Sequence, residues 1–326
     1  MHNQHLNSMS SKENIPLEVD MVYLWVNGND PEWRKKRAEF THETYSDPGM
    51  DSEARYADSG ELKYSLRSLD LYAPWIRKIF IVTDNQVPGW LDISNPKIQI
   101  IDHKEILPPE TLPTFNSNVI EHALYKIPGL SNYFLYGNDD MFFNRPVEIN
   151  DFFGKDGLPV VRMNMRALRK LWFWIVRNIR KKEISNYNQN IHNAASLIER
   201  TYGTYINHKA HHNIDAYRKD DYEYTFDKFR NHIGPTMLNH IRSENDIQRI
   251  IYSFVPIVEK RCHLKFVSKK TSFRCHIASR DFVEKLMKAN PMLFCLNDSQ
   301  FANDENRKQM KEFLLGRFPE KSQFEK

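Results

Sequence analysis

YFLYGNDD, residues 133–140, is the stretch from which the fold is read: a short apolar run that stops at Asn138-Asp139-Asp140. An apolar run of this length, bounded by turn residues, reads as a buried strand when helical patterns lie on either side. The helical pattern before it is NSNVIEHALYKI (116–127), ended by Pro128-Gly129. The same alternation continues toward the N-terminus. MVYLWV (21–26) runs into Asn27-Gly28-Asn29-Asp30-Pro31, KIFIVT (78–83) stops at Asp84-Asn85, and IQII (98–101) stops at Asp102. Between the first two, Ser59 reads as the N-cap of ELKYSLRSLDLY, whose Leu62, Leu66, Leu69 and Tyr72 fall near helical spacing before Ala73-Pro74. Strands alternating with helices predict an α/β fold with a mainly parallel sheet flanked by helices. With no repeat and no linker-like tract, one elaborated domain is expected rather than two.

In such sheets ligands bind beyond the carboxyl ends of the strands. Carboxylates gathered there repel one another unless a cation or ligand donors join them. Asp84 and Asp102, taken singly, read as ordinary turn and cap residues. Asn138-Asp139-Asp140 reads as functional, because two adjacent acids suit a hard divalent cation that also touches a diphosphate. Trp25 to Pro31 is open to two readings, a loop holding a base and ribose or a plain strand-to-helix turn. Arg242 offers a planar fork for phosphate, or a solvated helix start. Asn297-Asp298, after LFCL, adds a further ligand or a cap.

Composition narrows the class. The chain has 326 residues, 46 basic against 42 acidic, and 13% aromatic side chains. That is enough apolar material for a core, which excludes intrinsic disorder. A net charge of +4 is too weak to predict nucleic-acid binding. Residues 1–19 read as a flexible tail without the apolar centre of a signal peptide, and no run is long enough to span a membrane. Cysteines 262, 275 and 295 match neither a disulfide framework nor a zinc pattern. Cytoplasmic residence is expected. The histidines of NHKAHHN, His208, His211 and His212, read first as a surface cluster, with a general base left open. The charge is uneven: segment 161–182 holds eight basic residues and no acid around Trp172-Phe173-Trp174, so the remainder carries 38 basic against 42 acidic. Two readings follow, a solvated helix with a few buried aromatics or a peripheral contact with an anionic membrane surface.

Four segments in fixed order go beyond generic pattern: 20–33 (DMVYLWVNGNDPEW), 55–92 (from RYADSGELKYSLRS), 112–147 (through YGNDDMFFNRPV) and 294–298 (FCLND). Together they resemble the Stealth family of sugar-1-phosphate transferases, and FLLGRFPEKSQFEK resembles the end of its bacterial members. The resemblance implies a Rossmann-like fold over 20–326. Residues 20–154 would form the nucleotide-sugar and metal core, 155–205 a variable basic-aromatic insertion, and 206–326 the part completing the site. It implies transfer of a sugar-1-phosphate from a UDP-sugar to a hydroxyl of an acceptor glycan, which can be lipid-linked, with release of UMP and with Mg²⁺ or Mn²⁺ as cofactor. Trp25, Asn27, Gly28, Asp30, Glu61, Asn116, Asn138 and Asn297 would bind substrate. Asp139, Asp140 and Asp298 would hold the metal. Arg55 and Arg242 would stabilise phosphoryl oxygens, and Asp58 or the histidine group, with His208 first, would take the acceptor proton. Arg242 with Glu244 and Asp246 resembles a family Arg-x-x-Glu-Asp segment if one extra residue is allowed. The chain departs from the family at Ser59-Gly60, at Gly137 before the acid pair, and in the histidine block, which lacks the usual proline. A glycosyltransferase releasing UDP, or a silent glycan-binding protein, are the competing readings.

Overall fold

In the computed structural model the described residues are 17–41, 58–299 and 301–326. Most of the expected tail, and Arg55, lie outside them; Val19, the last residue of that tail, already sits buried in a strand. Eleven strands are described: β1 Val19–Leu24, β2 Ile79–Thr83, β3 Ile98–Asp102, β4 Tyr133–Asn138, β5 Met141–Phe143, β6 Val160–Asn164, β7 Lys209–Ala210, β8 Asp215–Arg218, β9 His263–Phe266, β10 Ser272–His276 and β11 Leu293–Asn297. The four strands read from sequence form the parallel run β3-β2-β1-β4, and antiparallel β8 closes its edge. Strand order reverses between β1 and β4. That is the switch point at which open α/β sheets leave a crevice. Two smaller sheets, β10-β11-β5 and β7-β6-β9, complete the architecture.

Period-two alternation assigns the two faces. Val22, Phe80, Val82, Phe134 and Tyr136 point into one core, covered by helices Ser117–His122, Asn186–Tyr202 and Ile251–Val258. Met21, Tyr23, Ile79, Ile81 and Leu135 point into the other, against Leu62, Leu66 and Leu69 of helix Glu61–Tyr72. The expected insertion is therefore structural in part, since Ile191, Ala194, Leu197 and Ile198 are core residues. The N-cap of helix Glu61–Tyr72 is not Ser59. Gly60 occupies the position at φ 89 and makes no side-chain cap. Left-handed backbone suits glycine, which accounts for the Ser59-Gly60 departure. The Ser59 N–H is satisfied instead by the Glu61 carboxylate at 2.8 Å. No helix among the described residues is long and apolar enough to cross a membrane.

The segment resembling the end of bacterial members is bolted to this frame. Arg67 meets Glu325 through two parallel bonds of 2.7 Å and donates to the Phe318 carbonyl at 2.8 Å. Both side chains are nearly buried. Breaking such a pair on one side leaves an uncompensated charge, at about 3–5 kcal/mol. Glu325→Gln is expected to lower the urea-unfolding free energy by about that much, and the apolar pair Arg67→Met/Glu325→Leu by clearly less. Equal losses in the two variants contradict this account.

Candidate functional site

A cleft of about 760 Å³, counting its open mouth, lies beyond the carboxyl ends of β1, β2 and β4. Trp25, Val82, His103, Phe115, Asn138, Asp139 and Arg242 are among its walls. Trp33 stands edge-on to Phe115 at 5.4 Å, which makes one wall aromatic. His103 is buried, which pushes its imidazole down to about 4, and its Nδ1 has no partner among the described residues. A neutral ring with an unused polar atom in a cleft suits a ligand hydrogen bond.

The acid pair occupies the tight turn between β4 and β5. β11 pins it, as Leu296 N–H donates to the Asp140 carbonyl at 3.0 Å. Helix Glu61–Tyr72 holds β5 from the other side, with Ser65 donating to the Met141 carbonyl at 2.6 Å and Phe143 N–H donating to Ser68 at 3.1 Å. Gly137 precedes the pair because a Cβ there would stand 3.0 Å from Met21 and 3.2 Å from Ile214. The Met21 and Ile214 side chains fill the space that a larger residue would need there, which accounts for that departure from the family pattern.

Electrostatically the turn is loaded. Burial raises Asp139 well above the usual carboxylate range, and Asp140, Glu61 and Asp58 add to the rise. Burial carries Asp140 up to about 6 and Glu61 up to about 7. Cys295, whose thiol burial keeps protonated, donates to Asp140 Oδ2 at 3.2 Å. Asp140 Oδ1 is buried with no partner among the described residues. His212 and Cys295 each offer an atom within 4.8 Å of Asp140, a grouping with the spacing of a metal site. A protonated thiol is a poor ligand for a hard ion, so oxygen donors of the acid pair fit such a cation best.

The expected residues separate into those at this locus and those that build it. Trp25, Asn138, Asp139 and Arg242 line the cleft. Arg242 donates to Ser117 at 2.8 Å, which leaves the rest of its fork for a ligand. Asn116 is fully buried and caps helix Ser117–His122 while donating to Asp246 at 2.9 Å. Asp246 also accepts from Asn118, Asn239 and Ser243 N–H, so this knot positions the Arg242 loop. Glu244 is exposed outside it. Asp30 caps helix Pro31–Thr41 and accepts from Gln86, while Gln86 and Asn27 bond each other. Gly28 gives its carbonyl to Arg34. Asp58 accepts from Gly60 N–H. Asn297 ends β11, and Asp298 is taken by Arg307 at 2.9 Å, so its carboxylate does not join the acid pair.

The three histidines part company. His208 packs against Phe266 and accepts from Arg166 N–H. His211 is buried between Asp215 at 2.8 Å and Ser272 at 2.9 Å. His212, in left-handed backbone at φ 56, is the one that reaches Asp140. Burial, reinforced by Arg274 and Arg249, drives its imidazole down to about 3, and it makes no hydrogen bond to a described residue. Sequence reasoning missed Arg249, Asp215 and Glu121, a buried charge network beneath the site. The available signal was an arginine lodged in the isoleucine-rich helical pattern of Ile247, Ile250 and Ile251.

Known proteins match the chain along nearly its whole length. Residues 18–45, 55–161 and 285–326 match Stealth protein conserved regions 1, 2 and 4. Exopolysaccharide phosphotransferase cps2G of Lactiplantibacillus plantarum is 32% identical over 95% of this chain and 97% of its own length. Capsular polysaccharide phosphotransferase fcs1 of Haemophilus influenzae is 31% identical over 93% and 84%. Receptor polysaccharide phosphotransferase WefC of Streptococcus gordonii is 31% identical over 94% and 99%. With identity sustained at this level over most of both chains, and the conserved regions in order, the chain belongs to the Stealth family.

Proposed function

We propose that the chain moves a sugar-1-phosphate from a UDP-sugar to a hydroxyl of an acceptor glycan, forming a phosphodiester in a capsular or other cell-surface polysaccharide and releasing UMP. The observation that carries this reading is the buried Asp140 Oδ1, without a partner among the described residues, next in the chain to Asp139, which lines a cleft with an aromatic wall and Arg242. The names of the relatives, polysaccharide phosphotransferases, supply the class of group moved and of acceptor.

In this reading Trp25 and Phe115 flank the uracil, and His103 Nδ1 and Asn138 meet polar edges of the nucleoside. Asp139 and Asp140 hold Mg²⁺ or Mn²⁺, which neutralises charge on the diphosphate when bound. Arg242 clamps the phosphoryl oxygens of the sugar-proximal phosphorus through its fork. His212, neutral and with no hydrogen bond to a described residue, accepts the proton of the attacking hydroxyl. The acceptor oxygen bonds that phosphorus as the bond to the UMP oxygen breaks. Phosphoryl transfer asks for alignment and charge neutralisation more than covalent help, which is the work this reading assigns to Arg242 and the acid pair.

Three outcomes are expected. Incubation with UDP-sugars, divalent cation and acceptor should release UMP and give a phosphodiester signal in phosphorus NMR. Release of UDP identifies a glycosyltransferase, and no turnover across a broad panel identifies a silent protein. His212→Ala should lower turnover by about a hundredfold or more, the range of a lost acid–base group, with His208→Ala near wild type; the reverse ranking removes His212 from the role. The raised carboxyls favour the folded state only while protonated. Their contribution is present below the ordinary range of about 4 and is lost as pH rises through about 6 for Asp140 and about 7 for Glu61. A cation needs them ionised, so Mg²⁺ or Mn²⁺ should raise Tm at pH ~8 and not at pH ~5. Asp140→Asn should melt higher than wild type in EDTA at pH ~8 and gain nothing from cation. An unchanged cation response in that variant rejects the assignment.

A further inference from the structure

We propose that the helix Arg169–Ile179, with the loop after it, is a docking surface for an anionic lipid bilayer. If this segment were only a solvated helix, its aromatics would turn inward. Instead Trp172 and Trp174 are 44% and 54% exposed. Among the described residues, six of the seventeen exposed large apolar side chains fall within 165–179. The helix, α-helical to Trp174 and π-helical to Ile179, already spends one face on the protein through Arg169, Phe173 and Val176. Leu168, Leu171, Trp172, Ile175 and Ile179 follow i, i+3, i+4, i+7, i+11 spacing and form a second, largely exposed apolar stripe flanking that face, and Trp174 stands exposed on the side opposite the buried face. Exposed Leu264 and Phe266 lie on β9, in register beside β6 just before the helix, and widen the patch.

The charge names the occupant. Arg166, Arg177, Arg180, Lys181 and Lys182 are exposed and pair with no acid among the described residues; Lys170 alone pairs, with Glu199. A helix with tryptophan and leucine on one side, rimmed by cations, suits the boundary between acyl chains and anionic headgroups. Nucleic acid would use the cations but leave Leu168, Leu171 and Ile179 without a partner. A second copy would set like-charged rims against each other. The surface also adjoins the site: Asn164 of β6 pairs with Lys209 of β7, two residues before the His211-His212 pair. A lipid-linked acceptor held there would arrive beside His212, a consequence that rests on the transfer reading; the bilayer contact itself does not.

The test is cosedimentation of the full chain with vesicles of pure phosphatidylcholine, and of phosphatidylcholine mixed equally with phosphatidylglycerol. Binding is expected only to the mixed vesicles and should weaken as salt is raised. Each cation near the surface is worth about fivefold, so Arg177→Gln/Arg180→Gln/Lys181→Gln/Lys182→Gln should bind at least about a hundredfold more weakly. Trp172→Ala/Trp174→Ala should lose about tenfold or more. Both variants should keep the wild-type circular dichroism and unfolding midpoint, which separates lost docking from lost fold. Equal vesicle binding by either folded variant overturns the proposal. So does a lipid-free dimer that the tryptophan variant dissolves, or binding to single-stranded RNA as tight as to the mixed vesicles.

Discussion

A guanidinium cannot shed its charge inside a protein, and Arg249 is buried. It stacks on Tyr136 at 4.4 Å, donates to Asp215 at 2.9 Å and to the Tyr217 hydroxyl, and has Glu121 at 3.7 Å. Burial alone would raise Asp215, but His211 and Arg249 more than cancel it and hold the carboxyl at about 2. Each anion then reaches outward. Asp215 fixes His211, which touches Ser272 on the second sheet. Glu121 takes the Tyr136 hydroxyl, which also lies 3.0 Å from Asn138 Oδ1 at the cleft. One obligatory cation thus organises both the strand that ends in the acid pair and the loop that carries His212. Its sequence neighbours make no contact with substrate in the proposed mechanism, yet the site takes its shape from it.

Above that network the balance is reversed. Arg249 is over-provided with anions, whereas Asp58, Glu61, Asp139 and Asp140 stand together short of cations. Among the described residues, the positive charge acting on Asp140 is that of Arg274, and Cys295 supplies a weak donor. Stability would be served by placing an arginine among them, as Arg307 serves Asp298. Leaving the gap is what the proposed cation site would require.

The parallel sheet was legible because its strands are short, apolar and punctuated by Asp and Asn. β2 and β3 begin within a residue of their expected starts, and Asp102 is the cap it seemed to be. β1 lies two residues earlier than its apolar run suggests, since Trp25 leaves the strand to line the cleft. The acid pair was legible from its place after a strand. Which histidine approaches the acid pair was not: three histidines within five residues diverge because β7 ends at Ala210 and His212 adopts left-handed backbone, neither of which local pattern reveals. Asn116 and Asp30 belong to the same lesson. Their residue types suit a site and a cap equally, and the contacts that decide come from Asp246 and Gln86, more than fifty residues away. The basic aromatic stretch was undecided because composition does not say which way a tryptophan points.

The pin on the acid pair has a consequence for how the protein is made. Asp139 and Asp140 emerge early, in the first half of the chain, but the strand that fixes their turn is β11, more than 150 residues later. The first sheet holds together by nearer pairings, so it can form on the ribosome while the turn still lacks its clamp. Contacts of such separation close late and slowly. Until then the turn that carries two of the four carboxylates lacks its clamp. The nascent protein therefore passes through a stage that has its scaffold but not its chemistry, and it becomes competent only when its last quarter arrives.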